Sequence, residues 1–411
     1  MWSLSRIVND IAYAKEPTKL PAPHSYVIPI LSIVSYLFKL AITARQNLYF
    51  HGVLPTHRLP VPVISVGNLT WGGNGKTPMV EFISLWLAEH GVSPLILTRV
   101  ELLRRTRGVR GLPEGYASGE EAKMLARHFH GTPVKIGVGA NRAATADCFL
   151  KNYGHFESYN HLFKNMPINQ KSGIRPDYDP KIGAIVLDDG MQHRCLERDL
   201  DIVMVNAIIP WGNHRLLPLG PLREPLSALV RADIVVVHHA NLASEHSVKD
   251  IEATIRAVKE SIPIFLSQMS PCHFFEAGDT NSRARLKSIR NAVVLCVSAI
   301  GCPDAFVQAI EMMGALFVDR LDFRDHHFFK SRDIGRIRAT LKTLESKFSS
   351  SPVVVTTEKD FDRDPGVLKQ LYPFQVLILS SQCLFKLYNV MRLLQTILTR
   401  RLFFPTDFCK L

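Results

Sequence analysis

A chain of 411 residues, 46 % hydrophobic and 21 % charged, carries ample apolar material for a large core, which excludes a disordered chain and allows two or three domains. A formal net charge of +12 points to an anionic partner such as a nucleotide, a nucleic acid or a membrane, without choosing among them. Seven scattered cysteines, with no Cys-x-x-Cys pair, exclude a disulfide framework and a zinc finger and fit a reducing compartment.

Residues Met1 to Ala22 lack a short apolar core followed by a small-residue cleavage site, so they do not read as a secretory signal. Arg6 and Lys15 are offset by Asp10 and Glu16, which gives an organelle transit peptide little support. Tyr26 to Ala44 is apolar and close to spanning length, but Pro29 and Lys39 interrupt it. It can span a membrane, lie in the interface or be buried in the core. A lone lysine at mid-span is costly, and an interfacial helix lets Lys39 reach the surface, so the interface is favoured.

From residue 61 the pattern turns to β-α alternation. Pro62 to Val66 reads as a buried strand, followed by a helix with Val80, Ile83 and Leu87 on one face and Gly91 as its stop. Short apolar runs recur at Pro94 to Leu97, Ala184 to Leu187, Ile202 to Val205, Ile234 to Val237, Ile264 to Leu266, Val293 to Val297, Val353 to Val355 and Val376 to Leu379. Such runs between helical stretches predict a parallel sheet covered on both faces. Val100 to Leu112 is rich in arginine, and Lys151 to Pro180 is polar and aromatic; both read as surface loops. Polar sequence gives way to a new strand near Ser288-Ile289. The expected organisation is an N-terminal segment (1–50), a first α/β domain (51–288) and a smaller α/β domain (289–411).

Gly67 to Pro78 follows a strand and opens a helix, the context required of a phosphate-binding loop. Gly72, Gly73, Asn74 and Gly75 can close backbone N–H groups around phosphate oxygens, and the helix N-terminus adds a positive end. Lys76 is placed to reach the β- and γ-phosphates, and Thr77 to offer its hydroxyl to Mg²⁺. Pro78 suits the first turn of a helix. The usual pattern has glycine where this chain has Thr70. Leu187-Asp188-Asp189-Gly190 ends a second apolar strand, where a P-loop enzyme holds its metal. Taken alone, Asp-Gly reads equally as a turn. Thr356 to Asp360 lacks the spacing of a guanine motif, because Phe361 stands where Asp is needed, so ATP is preferred. The expected fold is therefore P-loop NTPase-like, with an apolar membrane-associating helix before it.

Longer stretches now agree. Pro62 to Pro78, Leu187 to His193, Arg198 to Ile202, Gly212-Asn213, Leu216 to Pro225, Asp325-His326 and Thr357 to Asp360 together resemble the tetraacyldisaccharide 4′-kinase family of the lipid A pathway. The likeness runs from about residue 25 onward, and threonine at the Thr70 position belongs to that family's loop. It implies transfer of the ATP γ-phosphate to the 4′-hydroxyl of an acylated glucosamine disaccharide 1-phosphate at a membrane surface. It also implies two α/β domains with a substrate cleft between them. By position, it gives Asp188 and Asp189 to the metal and phosphate region, and Arg142 to the phosphates. Arg223, Glu224 and His193 become active-site residues, where Arg223 and Glu224 alone read as a surface ion pair. His326 becomes the orienter of a base carboxylate; alone, His326-His327 reads as two surface histidines.

Two departures stand out. Gly119-Glu120-Glu121 occupies the family's Gly-Asp-Glu, so the base is Glu120, about one methylene longer, a shift that can slow a reaction ~10²-fold. Val100 to Glu114 interrupts an Arg-Gly-Tyr that Arg99 and Gly115-Tyr116 would otherwise form, and reads as an insertion. Val100 to Glu114 and Lys151 to Pro180, both read as insertions, fit a eukaryotic member, and similar plant proteins are placed in mitochondria. Competing readings are a P-loop ATPase or GTPase switch and a nucleotide- or lipid-binding member of reduced activity. Nucleic-acid binding is not supported, since no basic face interleaves with aromatics.

Overall fold

The computed structural model describes residues 4–14, 21–99, 120–156 and 181–385. They form two compact units. The first comprises the described parts of Met1–Thr98 and Pro133–Gln268, with Phe385; the second comprises those of Arg99–Thr132 and Met269–Leu384.

The first unit opens with helices α1 (Leu4–Tyr13) and α2 (Ala22–Phe50). Pro29 lies inside α2, which continues past it to Phe50. One side of α2 buries Leu31 against Ile7 and Ile11 of α1. Along the helix Tyr26, Ile30, Ile33, Leu37 and Leu40 recur at steps of three and four, and all are exposed. This is not a core helix; by length and composition it could cross a membrane.

Strand β1 (Val63–Asn68) is buried along its whole length, as an inner parallel strand must be. Helix α3 (Lys76–Glu89) buries Val80, Ile83 and Leu87 completely, and Gly91 follows it at φ +77°. After β2 (Pro94–Thr98) comes α4 (Glu120–His128), which belongs to the second unit. The first unit resumes with β3 (Lys135–Val138), α5 (Arg142–Tyr153), β4 (Ala184–Asp188) and β5 (Leu200–Asn206). It continues through β6 (Ile234–His238), α6 (Glu245–Val258) and the start of β7 (Ile264–Glu276). Its strand order is β7-β6-β5-β1-β4-β2-β3, with every pairing parallel. Strands β2 to β4 lie on one side of β1 and β5 to β7 on the other. The carboxyl end of β1 is thus a switch point, where open sheets bind ligands. Val63, Leu95, Leu97, Ile185 and Leu187 form one apolar cluster of this unit, and Val203, Val205, Val235, Val237 and Ile255 another.

The second unit takes the later part of β7, its antiparallel partner β8 (Asp279–Ala284) and β9 (Val293–Ser298). It continues with α7 (Pro303–Met312), β10 (Phe317–Asp322), α8 (Ser331–Phe348), β11 (Val353–Thr357), α9 (Glu358–Arg363) and β12 (Val376–Phe385). Strand order is β10-β9-β11-β12-β7. Leu295, Val297, Ile337, Leu341, Val354 and Ile378 form its main core.

All the apolar runs expected to be strands are strands; β3, β8 and β10 were not foreseen. The units divide within β7 rather than at the composition change near Ser288, because one 13-residue strand pairs first with β6 and later with β8. Ser288 sits in a short 3₁₀ turn, Leu286–Ile289, inside the second unit. Lys151 to Tyr153, expected to begin a loop, is the end of α5. Residues 100–114 and 157–180 lie outside the described residues.

Candidate active site

The loop from β1 to α3 is shaped by its own side chains. Thr70 is buried and its hydroxyl donates to Asn74 Oδ1 at 3.2 Å; the Asn74 amide donates to the Gly72 carbonyl at 2.9 Å. A glycine at position 70 could not make this brace. Asn206, at the end of β5, donates to the Gly73 carbonyl at 2.8 Å. Alongside runs the Pro221–Arg223 stretch: Trp71 N–H donates to Pro221 O at 3.1 Å, and Arg223 N–H to Leu69 O at 2.6 Å. Gly72 and Gly75 stand at φ +89° and +77°. At Gly75 a β-carbon would lie 2.4 Å from Cδ2 of His238, so this position needs glycine twice over.

Lys76 opens α3, and its ammonium lies 3.4 Å from Asp189 Oδ1. Arg223 Nη1 donates to both Asp189 oxygens, at 2.7 and 2.8 Å. Arg142, at the start of α5 and buried, donates to the Asp189 carbonyl at 3.1 Å. Lys76, Asp189, Arg223 and Arg142, expected at one site, therefore do converge. Asp189 itself sits at φ +54°, in the left-handed region. Asp188 ends β4, buried, and accepts from Thr98 Oγ1 at 3.4 Å.

Arg223 and Glu224, read alone as a surface pair, turn to different partners. Glu224 is buried and accepts from Gln46 of α2 at 3.1 Å and from Arg231 at 2.8 Å. His193 Nε2 lies 3.0 Å from Cys195 Sγ, and its carbonyl accepts from Arg198.

Burial works against a charged Asp189, but Lys76, then Arg223 and Arg142, outweigh it and hold the carboxyl well below the usual carboxylate range. A depressed folded value adds stability above the unfolded value, about 3.9, that is lost as pH falls through the folded one. Asp189→Asn keeps a residue that tolerates left-handed backbone but removes the charge. We expect it to cost about 1–2 kcal/mol at pH 7, below the figure for a fully buried pair. Denaturant unfolding of both proteins checks this: the difference should shrink as the pH is lowered below about 4.

The donor set suits a nucleotide with its Mg²⁺. Glycine backbone N–H groups and an ammonium such as that of Lys76 are suited to phosphate, and the Thr77 hydroxyl with the Asp188 and Asp189 carboxylates are hard oxygen donors. Among the described residues no cluster of three or more His, Cys, Asp or Glu side chains forms a protein cage. Mg²⁺ is usually held by one or two carboxylates and the substrate's own phosphates.

The two remaining candidates lie in the second unit. Glu120 begins α4, and its side chain is outside the described residues. His326 follows β10 at φ +132°, a strained position for a non-glycine residue. Its Nε2 lies 3.6 Å from Asp325 Oδ1 and 3.5 Å from Lys359 Nζ. His327 turns instead to Asp333, at 2.7 Å. Sequence reasoning gave no site role to Thr98, Asn206, His238 or Lys359, the last quoted only within the Thr357 to Asp360 stretch. The first three are polar residues that end apolar strands, a signal open to sequence reading.

A family model, LpxK: tetraacyldisaccharide-1-P 4′-kinase, matches residues 27–399. The chain is 51 % identical over 382 residues to "Probable tetraacyldisaccharide 4′-kinase, mitochondrial" of Arabidopsis thaliana, covering 93 % of this chain and 92 % of that one. It is 31 % identical over 344 residues to the tetraacyldisaccharide 4′-kinase of Syntrophus aciditrophicus, covering 80 % and 83 %. Among solved structures, LpxK from Aquifex aeolicus in complex with ATP aligns with a TM-score of 0.57 at 23 % identity, over 92 % of this chain and 99 % of that one. At that identity the likeness shows the fold.

Proposed function

Because the chain belongs to the tetraacyldisaccharide-1-P 4′-kinase family, we propose that it transfers the γ-phosphate of ATP to the 4′-hydroxyl of an acylated glucosamine disaccharide 1-phosphate. The observation that carries this reading is the glycine-shaped loop whose Lys76 meets Asp189 and, through it, Arg223. Backbone N–H groups of Gly72 to Gly75 bind phosphate, and Lys76 and the two arginines stabilise the charge on the transferring group. Thr77, Asp188 and Asp189 would hold Mg²⁺, which neutralises phosphate charge when bound. Glu120, oriented by His326, accepts the proton of the sugar hydroxyl as that oxygen bonds the γ-phosphorus and the bond to ADP breaks. Radiolabel moving from γ-labelled ATP into the tetraacyl disaccharide 1-phosphate, in detergent micelles with Mg²⁺, is the expected result. ATP binding with no label in the lipid would leave a nucleotide-binding member of the family without this activity.

The substrate is a lipid, and α2 supports docking on a membrane surface rather than crossing it. Ser35, midway along the helix, donates to the Leu216 carbonyl at 2.9 Å, and Gln46 donates to Glu224, so two points of α2 are tied to the P-loop unit. Its exposed stripe is left for lipid. Ile33→Asp with Leu37→Asp should abolish flotation with anionic vesicles and leave ATP binding intact; flotation unchanged would refute the docking. As with the Arabidopsis relative's name, we place the protein in mitochondria. A fluorescent fusion that shows no mitochondrial signal would count against that placement.

A further inference from the structure

Thr357-Glu358-Lys359-Asp360 is a motif to which the reaction above gives no task. Three of its four side chains have structural partners. Thr357 caps α9: its hydroxyl donates to Asp360 Oδ2 at 2.7 Å and accepts from the Asp360 N–H at 3.2 Å. Asp360 is fully buried, accepts from the Ala299 N–H at 3.1 Å and pairs with buried Arg363 at 2.7 Å. Glu358 accepts from Arg127 at 3.0 Å and lies 2.9 Å from His128 Nε2, which locks α4 onto α9. Lys359 is the fourth. Its ammonium lies 3.1 Å from Glu121 Oε1 on α4, 3.5 Å from His326 Nε2 and 3.9 Å from Asp325 Oδ1.

We propose that Lys359 is a positioning residue for the carboxylate–histidine pair: it pins Glu121 and keeps the His326 imidazole neutral, with Nε2 as acceptor. The inference rests on the kinase reading given above. An ammonium at Nε2 can only donate, so it selects the tautomer that carries its proton on Nδ1. It also disfavours a second proton on the ring, because two cations at that separation repel. Charged groups near the imidazole include Asp325 on its own loop, Lys359 on α9 and, beyond that lysine, Glu121 on α4. Both carboxylates favour an imidazolium; Lys359 opposes them. The ion pair engages Glu121, the second of two consecutive glutamates, while the kinase reading gives the base role to Glu120. A histidine that must orient a base carboxylate works only in one protonation state.

Lys359→Met tests this against Lys359→Arg. With methionine the cation is lost, Asp325 and Glu121 are left facing the ring, and the His326 titration midpoint should rise by about one pH unit. The midpoint is read from the NMR signals of labelled imidazole in the full chain, with His326→Gln to assign it. The acid limb of kcat should move up by the same amount, with kcat at neutral pH down about tenfold and KM for ATP unchanged. Arginine keeps the charge and should return the limb to its wild-type place. A midpoint and limb that stay put in Lys359→Met overturn the proposal. So does a rise in KM for the lipid with kcat unmoved, which would make Lys359 a substrate-binding group. If wild type transfers no phosphate, the kinase reading fails by itself, while the NMR midpoint still decides the role of Lys359.

Discussion

Lys76→Ala is expected to lower phosphate transfer to the lipid by about 10³-fold, the loss typical of removing one preorganised donor from a charge-stabilising site. The variant should nevertheless fold. Asp189 keeps Arg223 on both oxygens, at 2.7 and 2.8 Å, and Arg142 on its carbonyl, so loss of the ammonium does not strand a buried charge. Lys76 begins α3, and alanine is a good helix residue there. The measurement is the label-transfer assay on both proteins, beside a thermal melt. Transfer within tenfold of wild type would remove Lys76 from the mechanism and with it the reading of the loop. Lys76→Arg should not rescue, since a planar fork does not replace a point charge packed 3.4 Å from a carboxylate.

Gly75→Ala should be nearly as damaging, for a different reason. Its φ of +77° is strained for alanine, and the added carbon would lie 2.4 Å from the His238 ring. That ring cannot retreat cheaply. It is buried at the end of β6 and its Nδ1 is 2.9 Å from Ser267 Oγ on β7. Burial, then the neighbouring His239, keeps it neutral by pushing its titration well below the usual histidine range. Backbone strain and overpacking together should cost roughly 2–6 kcal/mol. The loop can relax only by moving the N–H groups that would hold phosphate, so ATP affinity should fall together with stability. Calorimetric ATP titration and denaturant unfolding check this. Pairing the change with His238→Gly should recover the packing part of the loss and leave the backbone part; full recovery would show that strain at Gly75 is negligible.

Much of this molecule is legible in its amino acids. Ala184 to Leu187, Ile202 to Val205 and Ile234 to Val237 are apolar without alternation, and only a strand covered on both faces asks for that, so they announce inner strands of a parallel sheet. The phosphate loop is equally plain, because backbone that must wrap an anion needs glycine and a following lysine at fixed spacing. Lys135 to Val138 and Phe317 to Asp322 end their strand orders and carry polar residues, so nothing in their pattern separates them from loop.

What only the tertiary structure decided is where side chains from distant stretches meet. Asp188-Asp189 reads as a turn as readily as a metal site until β4 pairs beside β1 and brings Asp189 to Lys76. Arg142 and Arg223 arrive from a helix start and a loop that no periodicity links to it. Glu120 and Glu121 lie between strands of the first unit in sequence, yet α4 folds with the second unit, against α9, where Glu358 binds Arg127 and His128. Local pattern specifies elements, since hydrophobic period and backbone geometry are properties of neighbours in the chain. The site is decided by register and packing, which bring together charges that the chain keeps apart.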